Sequence, residues 1–143
     1  MKIKLKQAIE LAGFIERGLA GRPKALRVNN QDTVIVEPFS LANDAPILLA
    51  INLNRLKVHV DEYNAAYQAA FKSLSDNDGE IKQGTANMVT FLDQDAALKD
   101  RDVDVKLHKV QLSDLKPTDN KFSPGEIAAL MPILKFDVAA EAA

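Results

Sequence analysis

Asp44-Ala-Pro-Ile-Leu-Leu-Ala-Ile-Asn-Leu-Asn-Arg-Leu-Lys-Val-His-Val-Asp-Glu-Tyr-Asn-Ala-Ala-Tyr-Gln-Ala-Ala-Phe-Lys-Ser-Leu74 is the stretch that decides the fold of this 143-residue chain. Leu49, Leu53, Leu56, Val60, Tyr63, Tyr67, Ala70 and Leu74 recur at alternating spacings of four and three. A seven-residue apolar repeat held for nearly four cycles predicts one long helix, about 44–74, with a single packing seam. Pro46 suits its first turn, where a missing N–H costs nothing, and Asp44 complements the positive end of the helix dipole. Ser75-Asp-Asn-Asp-Gly79 ends it in turn formers.

The far side of this helix changes character along its length. Ile47, Leu48, Ile51 and Val58 are apolar, whereas Asp61, Glu62, Asn64, Gln68 and Lys72 follow. The pattern predicts a first half buried on two sides and a second half buried on one. Thirty residues rise about 45 Å, and a compact chain of this length is about 37 Å across. Either the molecule is elongated, or another chain covers the end of the seam. That assigns Leu56, Val60, Tyr63, Tyr67, Ala70, Phe71 and Leu74 to a candidate interface, with the two tyrosines and Phe71 as an aromatic ridge; the alternative is ordinary core, with the C-terminal helix folded back over the seam.

Outward from the long helix, Ala8, Leu11, Ala12, Ile15 and Leu19 predict an amphipathic helix over about 4–20, stopped by Gly21-Arg-Pro23. The alternation of Lys2, Lys4 and Lys6 with Ile3 and Leu5 also fits a short opening strand. Ala25–Val28 and Thr33–Glu37 flank the polar Asn29–Asp32 and predict a hairpin. Met88, Phe91, Leu92, Ala96 and Leu98 share a helical face over about 86–99. Asp102–His108 alternates as a half-buried strand, followed by an irregular edge to Leu115. Ser123-Pro-Gly-Glu126 is a capping box with proline at the first helical position, opening a short helix to about Leu134. Val138–Ala143 reads as a frayed tail. The whole is one α+β domain over 1–143, mostly helical, with a small antiparallel β element.

Composition narrows the function classes. Hydrophobic content of 47% and charged content of 27% are those of a soluble globular protein. No cysteine is present, which removes thiolate chemistry, disulfides and cysteine metal sites. No apolar run reaches membrane-span length, and the N-terminal segment is too charged for a signal peptide. Residues 1–28 hold seven basic and two acidic groups, the remainder eleven and eighteen. The basic head makes Arg17, Arg22, Lys24 and Arg27 candidate anion or nucleic-acid contacts, with any such binding non-specific because no base-reading motif accompanies the charge. A solvated face, or a head folded against its own acidic body, is the alternative.

Catalytic constellations are absent from the sequence. His59 and His108 read as surface histidines. Asp100, Asp102 and Asp104 alternate, yet lack the glycine and closing glutamate of a calcium loop. No phosphate loop, serine elbow or histidine–glutamate zinc motif occurs. The reading is a non-enzyme without cofactor or metal.

The layout of long helix, charged turn, short helix, Val103–Leu115 and the closing Phe122-Ser-Pro-Gly-Glu-Ile-Ala-Ala-Leu-Met-Pro-Ile-Leu134 resembles the small uncharacterised proteins of tailed-bacteriophage and prophage genomes, over about residues 45–135. The 25–37 hairpin lies outside that layout. The resemblance implies a virion or assembly accessory role, with partners that are copies of itself or other phage proteins, in the bacterial cytoplasm or the virion. An inhibitor of a host defence system, binding a protein or nucleotide, is the alternative it allows.

Overall fold

The computed structural model describes residues 1–136, apart from the side chains of residues 22–24. In chain order it places β1 (Lys2–Lys4), α1 (Leu5–Ala20), β2 (Arg22–Val28), β3 (Gln31–Glu37), α2 (Ala45–Leu74), α3 (Ala86–Lys99), β4 (Asp102–Asp104), β5 (Val110–Gln111), α4 (Pro124–Leu130) and β6 (Leu134–Lys135), with 3₁₀ turns at Leu112–Leu115 and Met131–Ile133. The fold is α+β and mostly helical, as the periodicity predicts. The predicted tail, Val138–Ala143, lies outside the described residues.

α1 buries Leu5, Ala8, Leu11, Ala12 and Ile15 on one stripe and packs that stripe against α2. The two helices run antiparallel. Leu5 lines a cleft with His59 and Tyr63 of α2, and at the other end Phe39 donates its N–H to the Gly18 carbonyl at 2.9 Å. Only five residues separate Phe39 from Ala45, a reach of about 20 Å, so α2 must start near the end of α1. Leu49, Leu56, Val105, Val110, Leu115, Leu130 and Ile133 complete the core.

The opening segment is both strand and helix. β1 pairs antiparallel with β4, Lys2 opposite Asp104 and Lys4 opposite Asp102. Lys4 reaches Asp102 at 3.1 Å and Asp100 at 3.8 Å, and the Met1 amine reaches Asp104 at 3.1 Å. These carboxylates are mostly exposed, so solvent screens the pairs and they add little to stability. The start of the basic head therefore folds against its own body, and the aspartate row meets cations of the chain itself.

Four features of this part of the fold differ from the sequence reading. The strand expected over 102–108 stops at Asp104; Val105 still donates its N–H to the Met1 carbonyl at 2.9 Å, and from Lys106 the backbone pairs with side chains of α2. Asn52 is fully buried; its amide donates to the His108 carbonyl at 2.9 Å and its Oδ1 accepts the His108 N–H at 2.8 Å. Arg55 donates to the Lys106 carbonyl at 2.7 Å. The β element comprises three two-stranded pairs, of which β5–β6 is parallel. The capping box forms as expected, Glu126 N–H donating to Ser123 Oγ at 3.2 Å and Ser123 N–H to Glu126 Oε1 at 3.1 Å. Its helix ends at Leu130 rather than Leu134, since Pro132 cannot continue it and the chain tightens into a 3₁₀ turn.

The fourth correction concerns α2. Its first half is buried on one side only: Ile47 is 64% exposed and Val58 57%. α1 and the 105–110 segment take the seam side, and no described element packs over the other.

Candidate functional site

Two features stand apart from the core, at opposite ends of the molecule. The first is the far half of α2 with α3. Thr85 caps α3 by accepting the Met88 N–H at 3.3 Å. Phe91 is its one buried side chain. Tyr67 and Phe71 of α2 meet the Phe91 ring edge-on, at centroid distances of 5.1 and 5.9 Å, and Tyr63 lies 6.0 Å from Tyr67. The middle helix thus closes over part of the seam.

One turn further along, Tyr63 donates its hydroxyl to Asp95 Oδ1 in a short hydrogen bond. Lys99 reaches Asp95 Oδ2 at 3.0 Å and stands 5.8 Å from the Tyr63 ring centroid. Burial and the bond to Asp95 push the Tyr63 hydroxyl above its ordinary range. Burial works to raise Asp95, but the hydrogen bonds from Tyr63 and Lys99 outweigh it and hold the carboxyl below its usual range. Its bond to Asp95 raises Lys99. All three groups move away from neutrality, whereas acid–base catalysts are tuned toward it. The trio is a clamp between two helices, each member fixed in its ordinary charge state at pH 7.

Beside the clamp runs an open trough. His59, Glu62, Tyr63, Ala66, Leu98 and Arg101 line its start, next to Leu5 and Val103. Ala66, Leu98 and Arg101 also line its continuation, a shallow, mainly apolar groove of about 460 Å³ with Ala70, Gln94 and Ala97. Three alanines leave its floor low.

The second feature is the β2–β3 hairpin. Asn29 and Asn30 have φ of 52° and 64°, the pair of left-handed residues that a two-residue type I′ turn requires and that asparagine tolerates. Pairing therefore runs the full seven residues, Arg22 opposite Glu37 to Val28 opposite Gln31, a ribbon about 23 Å long. The sequence reading, with a four-residue turn, has the first strand short by three residues and the second by two. At the root, Gly21 has φ of 117°, and a Cβ there would lie 2.1 Å from Val36 Cγ1; only glycine fits. Phe39 holds the base through ring contacts with Phe14 and Phe122 at 5.2 and 5.0 Å. Asn120 donates to the Ser40 and Leu115 carbonyls, at 2.8 and 2.7 Å, and accepts the Ser40 N–H at 2.9 Å.

Every residue of β3 is exposed. Val34 is 68% exposed and Val36 62%, on one face with Ala25 and Arg27; Ile35, Leu26 and Val28 occupy the other. Three consecutive β-branched residues make both faces apolar, the pattern of a strand covered on both sides. A lone two-stranded hairpin is marginal in water. The chain exposes 9364 Å², where a compact monomer of its mass exposes about 7,300 Å².

The sequence-predicted residues fall in several places. Leu56 is fully buried in the chain's own core, so it faces no other chain. Val60 and Tyr63 pack partly against that core, Tyr67 and Phe71 face α3, and Ala70 lines the groove. Leu74 is half-buried where α2 ends, its carbonyl accepting from Asn87 at 3.2 Å. Arg17 lines a separate open cleft between α1 and α4, and Arg27 stands near the hairpin tip opposite Asp32. The side chains of Arg22 and Lys24 are outside the described set. The two that are described, Arg17 at the α1–α4 cleft and Arg27 near the hairpin tip, lie at separate places.

Among the described residues no group of three histidine or carboxylate side chains is placed to hold a metal, and no helix is long and apolar enough to cross a membrane. No protein-family model, curated protein or solved structure matches the chain.

Proposed function

We propose that this chain is a non-enzymatic interaction protein that acts by self-association, in a virion or assembly accessory role of the phage type. The phage setting is supported by the sequence layout. The interaction role is supported above all by one observation: a seven-residue-per-strand ribbon with exposed apolar side chains on both faces. Contiguous exposed apolar surface of this kind marks association surfaces in soluble proteins. The clamp at Tyr63, Asp95 and Lys99 supports the same reading, since its members are locked rather than poised for chemistry. Copies of the chain, or other proteins of the same particle, are the partners.

Sedimentation velocity between about 1 and 100 μM, the range of moderate self-affinities, tests this. The reading predicts species heavier than 15.7 kDa that grow with concentration. A single 15.7 kDa species over the whole range contradicts it.

A further inference from the structure

The hairpin presents two edges, and they are not alike. Its type I′ turn closes with Val28 opposite Gln31, the Val28 carbonyl facing the Gln31 N–H. Bonded and non-bonded pairs alternate from that point along an antiparallel ladder. Asp32, Val34 and Val36 of β3 therefore turn their N–H and C=O groups outward, as do Arg27 and Ala25 of β2. The third outward position of β2 is Pro23, which has no N–H to offer and breaks that edge. Over its seven residues the β3 edge, Gln31-Asp-Thr-Val-Ile-Val-Glu37, carries no proline, lysine or bulge, the devices that keep edge strands from pairing. Among the described residues the backbone of β3 bonds only to β2. An open edge selects its occupant by chemistry. The outward donors and acceptors of Asp32, Val34 and Val36 are met in one row only by another extended strand.

We infer that this occupant is β3 of a second copy, paired antiparallel about a two-fold axis at Val34. The inference rests on the self-association reading and specifies its contact. Val34 is both the midpoint of β3 and an outward residue, so two copies overlap along all seven residues in the bonding phase. With an inward residue at the midpoint, full overlap and bonding phase would exclude each other. Val34 then lies opposite Val34 of the second copy, Asp32 opposite Val36 and Gln31 opposite Glu37. Each of the three outward pairs exchanges two backbone bonds. No like charges face each other, and Thr33 meets Ile35 in a β-branched cross-strand pair. The product is a four-stranded sheet in the order β2-β3-β3-β2, which relieves the marginal stability of a lone ribbon. A β2-to-β2 contact would lose two of these bonds to Pro23, and a β2-to-β3 contact one. Because the two β3 edges occupy each other, the contact is isologous and the assembly closes at two copies.

Two exposed positions separate these arrangements, Val34 on the β3 edge and Ala25 on the β2 edge. The chain has no cysteine, so each can carry a single thiol. Opposed residues of a bonded antiparallel pair have Cα atoms about 5.5 Å apart, within disulfide reach. Under mild oxidation Val34→Cys is expected to give a 34–34 dimer in far higher yield than Ala25→Cys gives a 25–25 dimer, with no excess of the 25–34 product in a mixture. Val34→Pro removes the outward N–H from both copies and leaves the bonds within the hairpin in place. It is expected to weaken dimerisation about a hundredfold in sedimentation, since two bonds go and two carbonyls lose their donors. Val34→Thr keeps that N–H and a β-branched side chain, and should dimerise like wild type. Unchanged circular dichroism checks that each variant folds. A dominant 25–34 or 25–25 crosslink overturns the inference, as does no crosslink where wild type sediments as a dimer. Wild-type species heavier than a dimer, or a Val34→Pro variant that associates like wild type, overturn it too. Equal losses in the threonine and proline variants would make the apolar face the contact and count against the edge. Wild type that is monomeric throughout removes the self-association reading itself.

Discussion

Asn52 offers the sharpest test of how the fold is held. Its side chain is fully buried on the core face of α2, and it closes a two-bond ring with the backbone of His108, at 2.8 and 2.9 Å. Asn52→Ala removes both bonds and leaves an N–H and a C=O without partners in a part-buried place, at about 1–3 kcal/mol each. Alanine is the better helix former, by about 0.5 kcal/mol, which offsets little of this. A net loss of about 3 kcal/mol is expected, or about 10 °C in melting temperature at about 3 °C per kcal/mol. Asn52→Asp adds a sign that a cavity alone would not produce. Burial, with the His108 carbonyl facing one oxygen, raises its folded pKa above the unfolded value of about 3.9. Stability relative to wild type is then unaffected below that value and falls as pH rises through the folded pKa. In acid the protonated carboxyl can donate to the carbonyl and accept the N–H, restoring the ring. Thermal melts of all three proteins between about pH 4 and pH 8 read this out, and the Asp-to-wild-type gap should widen with pH. An alanine variant melting within about 2 °C of wild type, or a gap that ignores pH, would refute the reasoning.

Three further outcomes follow from the packing. Gly18→Ala should destabilise by about 1–2 kcal/mol, because its Cβ would lie 2.0 Å from the Phe39 ring, a ring already fixed between Phe14 and Phe122, and overpacking outweighs the helix-propensity gain; Gly13→Ala, whose nearest neighbour is the flexible end of Arg17 at 3.5 Å, should stabilise instead, as chemical denaturation of the pair will show. Ser123→Ala removes the cap of α4 and should cost about 1 kcal/mol; overlaid melts would mean the helix does not depend on it. Asp95 has its folded pKa lowered, so its contribution is present above the unfolded value of about 3.9 and lost as pH falls below it. Tyr63 has its folded pKa raised, so its contribution fades as pH rises past about 10. Asp95→Asn should lower stability by about 1 kcal/mol at neutral pH and flatten the acid side of the stability profile.

The helices are legible in the sequence because their signals are local. The seam at 49–74, the capping box at Ser123 and the stripe of α1 each follow from spacing within a few turns. Charge pairing is half legible: the alternating lysines at 2–6 and aspartates at 100–104 are plain in the sequence, but only the fold brings them across a ladder. Asn52 escapes the sequence reading although its position gives it away, three residues after Leu49 and four before Leu56, on the buried side of the repeat. What spacing cannot convey is that its amide replaces a strand partner, which shortens the 102–108 strand. The doubly apolar run at 34–36 is visible too, as three β-branched residues in a row, yet sequence pattern cannot say that nothing described within the chain covers it. Which side of α2 the other helices take is likewise a tertiary choice; it leaves Ile47 and Val58 exposed.

The most direct measurement is sedimentation of a ribbon variant beside wild type. Val34→Asp with Val36→Asp places two carboxylates on the exposed ribbon face. The account predicts that wild type forms species heavier than 15.7 kDa and that the variant, with unchanged circular dichroism, sediments as a monomer. Wild type that is monomeric throughout, or a variant that assembles like wild type, would contradict it.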